Sequence, residues 1–131
     1  MTRLIAFLCT LFISSSPQLW GQCTSNCSGT NSFIGIGAGS DNSSGTSNTF
    51  VGRDAGEKNT IGSSNSYFGI GAGIFGTSGS SNSFFGRDAG RNNTASFNSF
   101  FGHDAGFNNT SGNSNSFFGR DYKSIEGLKS V

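Results

Sequence analysis

The residues able to do chemistry are few and evenly spread. His103 is the single histidine, the aspartates Asp54, Asp88, Asp104 and Asp121 recur in one local pattern, and the cysteines are Cys9, Cys23 and Cys27. An enzyme gathers its acid, base or nucleophile in one concave pocket. Here each aspartate comes once per repeat, as part of a column and not of a unique cluster. His103 stands where Arg or Ile stands in the other repeats, which marks a surface position. The expectation is that the chain is not an enzyme and has no catalytic residue, metal site or cofactor. A three-fold ring of His103 side chains holding an anion or metal is the chemical alternative. Calcium β-rolls need Gly-Gly-x-Gly-x-Asp in consecutive coils, and Ile36-Gly37 and Ile70-Gly71 interrupt the aspartates. An ice-binding face is disfavoured because only one hydroxyl per repeat is in register. Asn42, Asn92 and Asn108 lie in glycosylation tripeptides, which an Asn- and Ser-rich repeat produces by chance.

What positions these residues is a repeat. The stretch Asn82 to Gly90 reads Asn-Ser-Phe-Phe-Gly-Arg-Asp-Ala-Gly, and copies begin at Asn31, Asn48, Asn65, Asn82, Asn98 and Asn115. The step is 17 residues four times and 16 once. A fixed step of this length predicts a solenoid. With 21 glycines, 14 phenylalanines and 1 proline in 131 residues, the composition resembles low complexity, yet disordered chains lack periodic aromatics. The formal net charge of +1 is scattered, without the basic patch that nucleic acid binding requires.

The columns of the repeat carry distinct expectations. The leading Asn residues predict corners, with side chains able to bond between coils. Next comes an aromatic column of Phe33, Phe50, Tyr67, Phe84, Phe100 and Phe117, followed at once by Ile34, Val51, Phe68, Phe85, Phe101 and Phe118. Adjacent strand residues face opposite sides, so one column fills the coil and the other needs a different cover. Another copy of the chain supplies it, because soluble monomers rarely expose such a stripe. Which column faces inward is open from sequence. An unbroken glycine column follows: Gly35, Gly52, Gly69, Gly86, Gly102 and Gly119. It predicts a turn with positive φ or close backbone approach. The Ala-Gly pairs beyond it keep the coil narrow, and the polar half with Asn59, Thr60 and Gly62 predicts a second, shorter strand. In the early coils alternation of Ile-Gly with Arg-Asp avoids stacking like charges about 4.8 Å apart, a repulsion of about 1 kcal/mol even in water; in the last three coils each Asp is offset by Arg87 or Arg120, with His103 between the two arginines.

The ends differ. Arg3, the apolar run Leu4 to Ile13 and a polar stretch to Gln22 predict a secretory signal peptide over residues 1–22. The run is too short to remain as a membrane span. Lipidation at Cys23 is the rival, with Trp20 and Gln22 unfavourable to it. Cys9 leaves with the signal, so Cys23 and Cys27 are the candidates for a structural disulfide in an N-terminal half coil, residues 23–30, with free thiols the alternative. Repeats occupy residues 31–123. Residues 124–131, with Ile125, Leu128 and Val131, predict a C-terminal cap or the start of a neck.

Over about residues 26 to 121, these Asn-Ser, apolar strand, Gly and Ala-Gly columns resemble the head repeats of trimeric autotransporter adhesins. They are similar also to the repeats of exported and phage fibre proteins that carry a C-terminal intramolecular chaperone. The resemblance implies a left-handed parallel β-roll, three chains about a common axis, and display at the cell surface. The fold expected is thus an all-β parallel β-solenoid of about six 17-residue coils, assembled as a homotrimer. The function expected is a secreted or surface-displayed structural or adhesive protein. Its partners are other copies and a host or matrix protein or glycan, not nucleic acid. A passive fibre segment without a ligand is the alternative. The coil is longer than the usual adhesin head repeat and its strand is more aromatic, and neither stalk nor anchor is evident.

Overall fold

The computed structural model describes residues 30–120. The expected signal peptide, half coil, Cys23–Cys27 disulfide and C-terminal cap lie outside the described residues. Each leading Asn is followed by a three-residue strand: β1 Ser32–Ile34, β2 Thr49–Val51, β3 Ser66–Phe68, β4 Ser83–Phe85, β5 Ser99–Phe101 and β6 Ser116–Phe118. They form one parallel sheet in sequence order. Asn to Asn, each strand pairs in register with the equivalent residues one repeat on, as in Phe84 opposite Phe100. The result is a parallel β-solenoid of about five turns, with no helix among the described residues.

The first aromatic column is the inward one. Phe50, Tyr67, Phe84 and Phe100 are fully buried and Phe33 nearly so, with Phe117 packed against them at the end of the row. Their rings stack almost parallel at centroid spacings of 4.7–4.9 Å. That spacing is the inter-strand distance, so sheet geometry dictates the stack. Beside the rings lie Ala38, Ala55, Ala72, Ala89 and Ala105, all fully buried. Larger residues there would overfill so narrow a coil.

Two glycines show why this column and the next admit no side chain. Gly86 sits at φ +143°, and a Cβ on it would lie 2.4 Å from the carbonyl oxygen of Gly102 in the next coil. Gly90 has φ +60°, and its Cβ would lie 2.4 Å from the Phe84 ring. Both the turn and the backbone contact expected from the sequence are therefore present at Gly86.

The leading asparagines correct the corner reading. The corner is the preceding residue, Ser47, Ser64, Ser81, Phe97 or Ser114, at φ 57–63°. Asn48, Asn65, Asn82 and Asn98 are instead fully buried. Each side-chain oxygen accepts the backbone N–H of the next Asn in the ladder, as Asn82 Oδ1 does from Asn98 at 2.9 Å. Each amide nitrogen then donates across the coil, as Asn48 Nδ2 does to Gly62 O at 2.8 Å. Buried polar groups are nearly always paired, and this arrangement pairs both ends of the side chain while tying the start of a coil to its close.

The polar half of the repeat is not a second strand. It runs as turns and bends. Coils are joined there by bonds such as Thr60 N to Thr77 O, 2.9 Å, and by hydroxyls standing in for backbone partners, as where Ser63 Oγ accepts Thr46 N–H at 3.0 Å. Ser, Thr and Asn compete with ladder bonding in this way, which is why the segment escapes strand geometry while remaining cross-linked. In the 16-residue coil one residue is missing between Thr94 and Ala95, at a corner. The strand pairing on either side of it is undisturbed.

Candidate interaction surface

The outward side of the solenoid follows from the same strand alternation. Ser32 and Ile34 flank the buried Phe33, and the pattern repeats through β5, with Phe117 of β6 only half-buried. The second apolar column thus forms an external ladder, with Ile34 57 %, Phe85 37 % and Phe118 72 % exposed and Val51, Phe68 and Phe101 half-buried. Its rings also stack: Phe68 on Phe85 at 4.8 Å, Phe85 on Phe101 and Phe101 on Phe118 at 5.0 Å, with interplanar angles of 5°, 2° and 3°. From Phe68 to Phe118 each inner ring face is covered by the next ring, so between its ends the ladder presents edges. A sugar or nucleobase stacks on an aromatic face, so this column suits apolar packing and not a stacking platform.

The aspartates of the Arg-Asp and His-Asp pairs stand in a column, one to a coil. Asp54, Asp88 and Asp104 adopt φ 58°, 54° and 58°, the conformation that Gly37 and Gly71 take in the alternate coils at φ 74° and 66°. Asp tolerates this region better than most residues. The Asp54 carboxylate packs over Gly37, where an added Cβ would meet its Oδ1 at 2.4 Å, and Asp88 packs likewise over Gly71 at 2.5 Å. At Asp54 and Asp88 the alternation therefore has a steric reason besides the electrostatic one expected from sequence: the glycine of the preceding coil makes room for the carboxylate, whereas Asp104 follows Asp88 with no such glycine. Among the described residues no group of three or more His, Cys, Asp or Glu is placed to hold a metal. Asp121 lies outside them.

Around these carboxylates the cations are arranged locally. Arg53 and Arg87 contact Asp54 and Asp88 through Nε at 3.5 and 3.2 Å. Arg91 also reaches Asp88, and its guanidinium is sandwiched 5.2 Å from the Phe75 ring and 5.6 Å from the Phe107 ring. His103 Nδ1 lies 2.8 Å from Asp104 Oδ2. Lys58 bonds Glu57 and Asp41, and those contacts hold its ammonium above the ordinary lysine value.

Two departures from the repeat fall in one coil. Tyr67 replaces Phe in the inner column, and Gly76 replaces Asn in the polar column of the same coil. A Cβ on Gly76 would lie 3.8 Å from the Tyr67 hydroxyl, so the phenol oxygen occupies the region a side chain there would use. The exchange leaves two buried atoms without hydrogen bonds, Tyr67 Oη and Asn59 Oδ1. Elsewhere the equivalent oxygen accepts from the next coil, as Asn42 Oδ1 does from Asn59 Nδ2 at 2.8 Å.

In comparison with known proteins, no family model, no curated protein and no solved structure matches the chain.

Proposed function

We propose that the chain is a secreted or surface-displayed structural and adhesive protein, built as a left-handed roll and working as a homotrimer, in the manner of trimeric autotransporter adhesin heads. The observation that supports this best is the external ladder from Ile34 to Phe118, continuous along one face and only half covered by its own chain. A stripe of this kind is energetically poor in water and favours burial against a like surface. Three parallel copies turn three such ladders toward a common axis, and every coil meets its equivalent because all copies share one rise. Attachment to a host or matrix component then falls to the surfaces that remain outside. The alternative, a passive fibre segment, shares the assembly and lacks the ligand. Sedimentation equilibrium of the exported chain tests the assembly: a trimer is expected, and a folded monomer at micromolar concentration removes the reading.

A further inference from the structure

In a solenoid the constant columns maintain the fold, and ligand preference resides in the columns that vary on the surface. One varying column runs Ile36, Arg53, Ile70, Arg87, His103 and Arg120. Ile36 and Ile70 are 71 % and 46 % exposed, and the side chains of Arg53 and Arg87 are 64 % and 65 % exposed. Their partner carboxylates are withdrawn, at 35 % for Asp54 and 13 % for Asp88, because these aspartates fold back over the preceding glycine. Both ion pairs use Nε, leaving the terminal guanidinium nitrogens as the outward donors. Although each Arg-Asp pair is neutral, the surface it shows is cationic.

The spacing narrows the ligand. Coils rise by 4.7–5.0 Å, so arginines in alternate coils are separated by two rises, about 10 Å. Nucleic acid phosphates repeat at about 3.4 Å along a strand, and same-face side chains of an extended peptide at about 7 Å. Every third phosphate would meet an arginine, but the two phosphates between would face the isoleucine or histidine of the intervening coil with no cation opposite them, and the peptide falls out of step after one contact. A linear glycan in extended form advances by about one sugar per coil, so neutral and acidic sugars in alternation would meet Ile and Arg in alternation. Guanidinium recognises carboxylate or sulfate through paired donors, and the isoleucines lie against the less polar sugar between them. We propose that this column is a docking track for a linear acidic polysaccharide bearing one anionic group on every second sugar. The track is separate from the external ladder, whose covered ring faces offer sugars nothing to stack on.

The inference rests on the surface-display reading, which recovery of the protein in the exported fraction tests by itself. Binding is measured by calorimetry on the full chain with hyaluronate, a glycan with one carboxylate per disaccharide, and with its carboxyl-reduced form. The expected result is binding that weakens as salt is raised, falls at least tenfold in the Arg53→Gln/Arg87→Gln double variant, persists in Lys58→Gln, and is lost on the carboxyl-reduced polymer. Both arginines are exposed, so an unchanged melting curve of the double variant excludes misfolding as the cause. Equal affinity of that variant, equal binding of the carboxyl-reduced polymer, or tighter binding of poly-L-glutamate overturns the proposal. A protein that is exported and trimeric yet ignores hyaluronate overturns it alone and leaves the assembly standing.

Discussion

Tyr67 and Gly76 show how a single coil can trade one polar arrangement for another. The Tyr67 hydroxyl is fully buried, and burial holds the phenol well above its ordinary value of 10.0; the Asn82 side chain opposes that rise without reaching hydrogen-bond geometry. The folded state therefore keeps the proton after the unfolded chain has lost it. Stability from this residue is complete below about pH 10 and declines as pH climbs beyond it, by about 1.4 kcal/mol per unit. In urea titrations from pH 9 to 11.5 the wild type should lose stability more steeply than Tyr67→Phe. Coincident slopes would mean that the hydroxyl titrates freely. At neutral pH Tyr67→Phe should gain about 1 kcal/mol by removing an unpaired buried hydroxyl. Gly76→Asn should destabilise the wild type and be better tolerated beside Phe, with a coupling of about 1 kcal/mol in a double-mutant cycle. Additive effects would show that the two substitutions are unrelated.

At the scale of the coil, glycine geometry and stacking act together, and they can be separated by experiment. Gly86 and Gly119 share a positive φ, +143° and +129°, but a Cβ on Gly86 meets the next coil while one on Gly119 meets nothing within 4 Å among the described residues. Gly119→Ala should cost only the conformational strain, roughly 1–3 kcal/mol. Gly86→Ala should cost clearly more, because the Gly102 carbonyl must move and with it the strand pair from Ser83 to Phe101. Chemical denaturation of the two variants reads the difference directly, and equal losses would leave turn strain as the sole reason for the column. Much of the coil was legible because Phe84, Gly86 and Ala89 recur at one period and each residue type admits few structural explanations. The buried ladder of Asn48, Asn65, Asn82 and Asn98 was not, since Asn is frequent in exposed turns and nothing in its spacing tells a corner from an interior. The supposed second strand failed for a related reason: residues such as Ser63 satisfy neighbouring backbone with side chains, a pairing that no hydrophobic period records.

For the whole molecule, the decisive question is what covers the outer aromatic ladder. Strand alternation made two columns evident, and only the backbone path decides that Phe100 points in and Phe101 out. Phe101→Ser leaves the inner stack intact, so each chain should keep its solenoid and its circular dichroism. If like ladders cover one another, the loss of buried aromatic area should weaken assembly by roughly 2 kcal/mol per chain, read as dissociation at lower concentration in sedimentation equilibrium. A variant that stays as fully trimeric as the wild type would place the interface on another face. The opposite result, a monomeric but folded wild type, would leave the ladder for a foreign protein.

The missing residue of the fourth repeat has a practical consequence. Coil length there changes from 17 to 16 without altering how Ser83 meets Ser99 or Phe84 meets Phe100, so the sheet sets the rung and the corner absorbs the difference. The same corner carries the exposed Ser44, Ile61, Ser78 and Ser111 in the other repeats. It is therefore a graft point: a short flexible peptide inserted after Thr77 should be displayed without shifting the rungs on either side, with a melting temperature close to that of the parent. The scaffold would then hold a foreign sequence at a chosen height along its axis, one coil at a time.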